Sequence, residues 1–287
     1  MATSQGYGKT VTSGSIFAYD VGDTRNSFKG EPTTNVATGT LYPYTPYNTM
    51  TRDGQNLTFT MVGSSALYLT VHNGTNYNGQ IITLSGYMFK NGVPYALPYP
   101  RANTYHTVAA IEWHFDNVTG YFEIVENCNA SSVWLFHTPS GASGGDVITI
   151  KDFQVEVKSH ATPFVNGTRS TTQGLIDLTG NSSIDLANVS FDSNAQMTFD
   201  GTDDVITVPM QNLKPTLSIT QEVVVYINSN TTQVFIGAQY GTGSGNSYAL
   251  WLNGANNLAG GVNIGGSFNY QSQTYTITTS KWYHFIH

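Results

Sequence analysis

Charged side chains are scarce in this chain of 287 residues: Asp, Glu, Lys and Arg make up 10%, against about 25% in typical soluble domains. The 11 basic residues are scattered and the formal net charge is −7. The basic patch of a nucleic-acid-binding protein is therefore missing. A single cysteine, Cys128, excludes an intrachain disulfide and is predicted to be a small core residue.

Other signatures are missing as well. No apolar run approaches the ~20 residues that span a bilayer, so no membrane insertion is expected. The first eight residues lack the apolar segment of a signal peptide, so the sequence predicts a protein that is made in the cytoplasm and not exported by this route. The seven histidines show no zinc-like spacing.

Catalytic motifs are also missing. Neither a Glu-x-Asp-x-x-Glu strand nor a Gly-x-Ser-x-Gly elbow occurs. Glu123 and Glu126, three residues apart on a predicted strand, should point to opposite faces and are expected to be solvated. The sequence therefore predicts a protein that is not an enzyme.

The residues that are abundant, Asn, Thr, Ser, Gly and Tyr, form turns and strands rather than helices. Short alternating strands recur from Asn56 onward, as in a β-sandwich. Asn91-Gly92 predicts a two-residue hairpin. The apolar positions change parity near Lys151-Asp152, which predicts a β-bulge there. Trp113 and Phe115 share an apolar face and are expected to face the core.

The predicted fold class is all-β: two antiparallel β-sandwich (jelly-roll) domains in tandem, preceded by an extended N-terminal arm. Residues 1–51 form the arm, 52–159 the first jelly roll, 160–173 a linker and 174–287 the second sandwich. Residues 1–51, rich in turn formers, leave two interpretations open. They dock on another surface, or they form an irregular lead-in that folds back on its own domain.

Three segments, Gly174-Leu-Ile-Asp-Leu-Thr-Gly-Asn181, Phe199-Asp-Gly-Thr-Asp-Asp-Val-Ile-Thr-Val-Pro209 and Lys281-Trp-Tyr-His284, resemble the concanavalin A-like lectin/glucanase fold. More narrowly, they are similar to laminin-G-like modules of bacteriophage virion proteins. Residues 153–170 and 20–35 resemble the carbohydrate-binding-module-like jelly rolls of phage tail and structural proteins. The lectin resemblance implies that Trp282 is a core residue and that the second module is incomplete at His287.

The resemblance further implies a virion location and a structural role in a tail or head fibre or appendage. The N-terminal arm would dock on other virion proteins of the capsid, neck or tail. The chain would be a homo-oligomer, such as a trimer, that presents its modules to host-surface glycans. The alternatives are a capsid decoration or connector protein that binds no sugar, and a glycan depolymerase.

Candidate ligand sites follow from local pattern. Trp251 and Asn253 alternate with the apolar residues of their predicted strand, so Trp251 is the first candidate for stacking on a sugar ring and Tyr270 a weaker one. The alternative is a tryptophan packed under a loop. Asp200, Asp203 and Asp204 offer oxygen ligands for a structural Ca²⁺, or else hydrogen-bond the backbone of a tight turn. No other cofactor is predicted.

Overall fold

A computed structural model describes the following residues: 14–38, 40–43, 48–62, 67–72, 75–96, 110–128, 133–137, 143–192, 196–208, 218–229, 231, 233–239, 247–253, 257–264 and 267–287. The chain divides into two compact units, Met1–Met210 and Gln211–His287. In the described residues the regular structure is β-strand apart from one 3₁₀ turn, Val36–Thr38. None of the helical structure described there is long and apolar enough to cross a membrane.

Fourteen strands of the first unit are described. They are β1 (Thr33–Thr34), β2 (Thr40–Pro43), β3 (Asn48–Asp53), β4 (Asn56–Met61), β5 (Leu67–His72), β6 (Gln80–Lys90), β7 (Val93–Pro94), β8 (Ala110–Phe115), β9 (Tyr121–Cys128), β10 (Val133–His137), β11 (Val147–Glu156), β12 (Thr168–Arg169), β13 (Ser190–Phe191) and β14 (Met197–Thr198).

These strands form antiparallel sheets. The largest runs in the order β3-β4-β11-β6-β9-β8, with β7 paired to β6, and a three-stranded sheet runs β10-β5-β2. Strand β1 pairs with β12, and β13 pairs with β14. One face of the large sheet is apolar because alternate residues, such as Leu57, Phe59 and Met61 on β4, point into one core.

Several local predictions are confirmed. Asn91 and Gly92 have φ values of 51° and 83° and join β6 to β7, as a two-residue hairpin requires. The register between β11 and β6 shifts between Lys151 and Gln154, at the predicted bulge. Trp113 and Phe115 pack against the core of the large sheet, and Cys128 lies within it with 4% exposure.

The compact units do not follow the predicted domain boundaries. Strand β3, from the predicted arm, lies in the large sheet beside β4. Phe28 forms a β-bridge with Leu175, and Thr33 pairs with Arg169 of the predicted linker. The described part of the N-terminal segment thus folds back on its own unit. The polar composition that suggested an arm and a linker belongs to side chains that hydrogen-bond each other inside the unit.

The second unit has six described strands: β15 (Glu222–Ile227), β16 (Gln233–Gln239), β17 (Ser247–Asn253), β18 (Asn257–Ile264), β19 (Ser267–Thr274) and β20 (Lys281–Ile286). Strands β16 to β19 form an antiparallel sheet in sequence order, and β15 pairs with β20. Leu250 and Leu252 of the first sheet pack with Ile227 and Phe285 of the second.

Trp282 differs from the expectation. It is 70% exposed, because the alternation of β20 places Phe285 in the apolar layer and Trp282 on the opposite face. There it contacts Tyr226 of β15, with ring centroids 5.5 Å apart. The prediction of a core tryptophan is therefore wrong for the described structure.

Candidate functional site

A groove of about 240 Å³ lies on the first unit, on the face of the large sheet opposite its apolar core. Residues 85–87 of β6, Tyr121 of β9 and Asp152 of β11 supply its sheet side. Residues 161–164 supply its other wall. We call this the bulge groove, and we call residues 161–164 the groove loop.

The β11 bulge shapes the sheet side of this groove. Asp152, the bulged residue, has a φ of 50°, which non-glycine residues seldom adopt and which recurs at functional sites. Opposite it, Gly86 has a φ of 155°. A Cβ on Gly86 would lie 2.9 Å from the Lys151 carbonyl oxygen, so the close approach requires glycine there.

Two tyrosines from neighbouring strands provide aromatic surface. Tyr87 and Tyr121 are directly opposite each other in the β6–β9 register, and their rings meet edge to face with centroids 5.6 Å apart. Burial, and next the nearby Glu123 carboxylate, raises the pKa of Tyr121 well above its ordinary value. The phenol therefore stays protonated and donates a hydrogen bond to Glu123 Oε2 at 3.3 Å. On the groove loop, Phe164 is 41% exposed.

The Glu123 carboxylate joins the two walls. Its Oε1 accepts a hydrogen bond of 2.8 Å from the Ala161 backbone N–H, while its Oε2 accepts from Tyr121. Thr83, further along β6, donates its hydroxyl to the Lys158 carbonyl at 2.8 Å. The segment before and within the groove loop is therefore fastened across β6 and β9 by side chains of the sheet.

A second carboxylate, Glu156, holds the groove loop from beneath and is fully buried. Its Oε1 accepts from the hydroxyls of Thr33 and Thr162, both at 2.6 Å. Its Oε2 accepts from Gln154 Nε2 at 2.7 Å and from the Thr162 N–H at 3.0 Å. Four donors on two oxygens satisfy the buried charge, as a carboxylate away from water requires.

Arg169 completes this buried network. Its guanidinium donates to the carbonyls of Glu31 at 3.0 Å and Pro163 at 2.7 Å, with a longer bond of 3.4 Å to Phe164. Burial lowers the pKa of Arg169, an effect that the nearby Glu156 and Glu31 carboxylates oppose. The arginine thus ties the end of the groove loop to the N-terminal segment.

In the same network, the carboxylate of Glu31 contacts two basic side chains. Its Oε1 lies 2.9 Å from Lys158 Nζ and 3.0 Å from His160 Nε2. Among the described residues, Glu31 Oε1 and both ring nitrogens of His160 have no hydrogen-bond partner, so the contact of Glu31 with Lys158 is an ion pair without a directed hydrogen bond. The contact with His160 is an ion pair only when the imidazole is protonated.

Asn35 and Asp177 anchor the motif segments to each other. Asn35 Nδ2 donates to the Phe153 and Val165 carbonyls at 3.0 and 3.2 Å. The Asp177 carboxylate accepts the Ala18 N–H at 3.1 Å and also organises its own turn. Burial acts to raise the pKa of Asp177, but the hydrogen bonds that it accepts lower it overall.

The predicted sugar-binding residues lie elsewhere, on the second unit. Trp251 on β17 pairs with Ala259, which in turn pairs with Ser272 of β19. Because Tyr270 is two residues from Ser272, and Asn253 two residues from Trp251, the register places all three on one face of this sheet. Trp251 is half-buried. The side chains of Asn253 and Tyr270 lie outside the described residues, so this site stays a prediction.

Asp200, Asp203 and Asp204 lie in a tight turn, and their carboxylates are suitable ligands for a metal ion. One oxygen from each of Asp200, Asp203 and Asp204 lies within 4.8 Å of the others. Asp204 Oδ2 accepts the Asp200 N–H at 2.7 Å, and Asp200 Oδ1 accepts the Thr202 N–H at 2.7 Å. Three carboxylates suit Ca²⁺ in chemistry, although two of them already stabilise the backbone.

The glutamates of β9 differ from each other. Glu123 is half-buried beside the groove, whereas Glu126 is 5% exposed, so the expectation of a solvated Glu126 is wrong. Burial raises the pKa of Glu126 to about 7. Sequence reasoning missed the bulge groove because its walls come from β6, β9, β11 and a loop. The local sequence signal for the groove was the pair Tyr87 and Tyr121, which lie on the polar face of two strands whose opposite face is apolar.

Comparisons with known proteins assign neither a family nor a function to this chain. No protein-family model, curated protein or solved structure matches the chain.

Proposed function

We propose that this chain is a non-enzymatic structural protein of a bacteriophage virion. Its role is that of a tail or head fibre or appendage protein that attaches to host-surface glycans. The observation that carries the proposal is that the segments resembling phage virion proteins, 20–35, 153–170 and 174–181, contact one another through buried polar groups.

These contacts involve residues of the motifs themselves. Glu31 meets Lys158, and Asn35 bonds the Phe153 carbonyl. Ser27 donates its hydroxyl to the Ile176 carbonyl at 2.9 Å. Motif residues whose polar groups contact each other inside one fold indicate a structural motif, which supports a scaffold role better than a catalytic one.

Oligomerisation and weak sugar binding belong to the same proposal. Fibre proteins assemble from identical copies, here proposed as a homo-oligomer such as a trimer. Several sites on one particle multiply a weak affinity for a surface glycan through a high effective concentration. The polar, sparsely charged composition of the chain suits contacts with uncharged sugars.

The virion role is tested on purified particles of the phage that encodes the chain. Mass spectrometry should detect the chain as a stoichiometric component, and a cryo-electron microscopy map should contain density for its two units in a fibre or appendage. Particles of full infectivity that lack the chain would contradict the proposal.

Attachment is tested by competition. Purified chain should reduce adsorption of particles to host cells, and periodate oxidation of the cell-surface sugars should abolish its binding to those cells. Incubation with host polysaccharide should release no reducing ends. Release of reducing ends would instead support the depolymerase alternative, and full adsorption in the presence of excess chain would support the decoration alternative.

A further inference from the structure

We infer that the bulge groove of the first unit binds one uncharged pyranose residue, with Tyr87, Tyr121 and Phe164 as its aromatic surface. This inference rests on the proposed attachment function. It places a glycan-binding site on the first unit, separate from the predicted site around Trp251.

The size of the groove sets the size of the ligand. Its volume of about 240 Å³ is below the ~300–1,000 Å³ of pockets for drug-sized molecules. A single sugar ring matches this volume, whereas an enclosed oligosaccharide does not. The remainder of a glycan would extend into solvent past Phe164, whose side chain is 41% exposed.

The residues that line the bulge groove determine which chemical class of ligand it can bind. Aromatic rings offer apolar faces to the C–H groups of a sugar ring. Asp152, Ser85 and the tyrosine hydroxyls offer acceptors and donors for its hydroxyl groups. The lining contains no Lys, Arg or His, and Glu123 stands behind Tyr121. An anionic ligand such as a phosphate or an acidic sugar would be buried beside carboxylates without a counter-charge.

The groove is pre-formed. Glu123 fixes Tyr121 and Ala161, Glu156 fixes Thr162, and Arg169 holds the carbonyls of Pro163 and Phe164. Each wall is thus positioned by side chains that do not themselves line the groove. A site ordered before binding loses less conformational entropy on binding, so small contacts give measurable affinity.

The β11 bulge is a separate indication that the groove is a binding site. Bulges occur next to binding sites, where they redirect a side chain, and Asp152 lines the groove from a backbone conformation with φ of 50°. A purely structural β11 could continue its regular pairing with β6 without this conformation. We assign Asp152 the role of acceptor for a sugar hydroxyl.

The test uses saturation-transfer NMR on the purified full chain. The probes are the methyl glycosides of glucose, galactose, mannose, N-acetylglucosamine and N-acetylgalactosamine. We expect at least one to bind, and Phe164→Ala to weaken that binding at least tenfold because an exposed stacking ring is removed. Phe199→Ala is the matched aromatic control, because Phe199 is 54% exposed and is not among the residues that line the groove, and it should change the affinity less than twofold.

Asp152→Asn provides a second variant that keeps the fold. Asparagine tolerates positive φ but replaces a charged acceptor, so binding should weaken at least threefold while the melting temperature stays unchanged. Binding of none of the five glycosides, or binding unaffected by both Phe164→Ala and Asp152→Asn, overturns the inference.

The two proposals fail in different ways. A chain that is present in particles but binds no glycoside at the groove removes the sugar site and leaves the virion role standing. A chain that binds a glycoside at the groove but is absent from particles removes the virion role and leaves the sugar site standing.

Discussion

The first unit buries a charged network in addition to its apolar core, whereas the second has an apolar layer between its sheets. In the first, carboxylates and a guanidinium are buried together: Glu31, Glu156 and Arg169 are 1%, 0% and 7% exposed. In the second, an apolar layer between two sheets contains Leu250 and Leu252, both fully buried. The polar network fixes particular partners at particular distances, whereas the apolar layer depends mainly on shape and volume.

This difference predicts how each unit responds to substitution. Removing one member of a polar network leaves its partners buried and unsatisfied, so the loss is large and specific. An apolar layer tolerates exchanges that conserve volume and loses stability in proportion to the cavity that is created. Four experiments test this contrast.

The largest effect is expected for Glu156→Ala. Its loss removes the carboxylate that accepts from Thr33, from Thr162 and, as one of its acceptors, from Gln154 Nε2, which should lower the free energy of unfolding of the first unit by about 4 kcal/mol. Urea unfolding measures the loss, and hydrogen exchange should localise it to residues 153–169. The control is Glu112→Ala, an exposed glutamate on β8, expected within about 0.5 kcal/mol of wild type. Equal losses for the two variants would contradict the polar description of the first unit.

Leu250→Ala tests the apolar layer of the second unit. Truncating this fully buried leucine should cost about 3 kcal/mol through lost burial and a cavity, with faster hydrogen exchange in β15 to β20. Val224→Ala is the control, since Val224 lies on the outer face of β15 with 62% exposure. A comparable cost for Val224→Ala would show that this outer face is covered in solution.

Glu126 sharpens the contrast within the first unit. Glu156 is surrounded by donors, whereas burial raises the pKa of Glu126 to about 7, above its ordinary 4.5. The folded state therefore holds a proton that the unfolded state releases between those values, so this contribution to stability falls as pH rises from about 4.5 to 7. At pH 8, Glu126→Gln should stabilise the first unit by about 2 kcal/mol.

Unfolding measured at pH 5 and pH 8 checks this prediction. At pH 5 the buried carboxyl of the folded wild type is already protonated and resembles neutral glutamine, so the gain from Glu126→Gln should shrink. A gain of the same size at both pH values would show that the substitution acts through packing rather than through the buried charge.

The smallest effect concerns the exposed acidic turn, which contrasts with the buried carboxylates. If its affinity for Ca²⁺ is millimolar, 5 mM Ca²⁺ should stabilise the first unit by about 1 kcal/mol. In the described part of the chain the Asp203 carboxylate accepts no hydrogen bond, so Asp203→Asn should remove the calcium effect without disturbing the turn. An unchanged response in Asp203→Asn would mean that the ion binds elsewhere.

Short-range rules predicted much of the local structure. Asn91-Gly92 forms its hairpin because both turn positions need a positive φ, which Asn and Gly adopt more readily than other residue types. The change of parity at Lys151-Asp152 revealed the bulge because alternation reports which face is buried. Both features depend on residues close together in sequence.

Long-range contacts explain what the sequence did not reveal. Arg169 bonds Glu31, 138 residues away, so a polar stretch that resembles a linker is interior. Trp282 was assigned to the core by resemblance, yet the alternation of β20 places it outside. The bulge groove escaped notice because Tyr87 and Tyr121 become neighbours only through the β6–β9 register.

In the groove loop, the residues that line the groove are distinct from the groups that hold the loop in place, and this has a practical consequence. Ala161 and Phe164 line the groove, but the loop is held by their backbone atoms and by Glu123, Glu156 and Arg169. Residues 161 and 164 are therefore open to replacement without loss of the loop conformation. A library randomised at these two positions would change which ligand is recognised on an unchanged scaffold, the same separation of frame and contact residues that antibodies use.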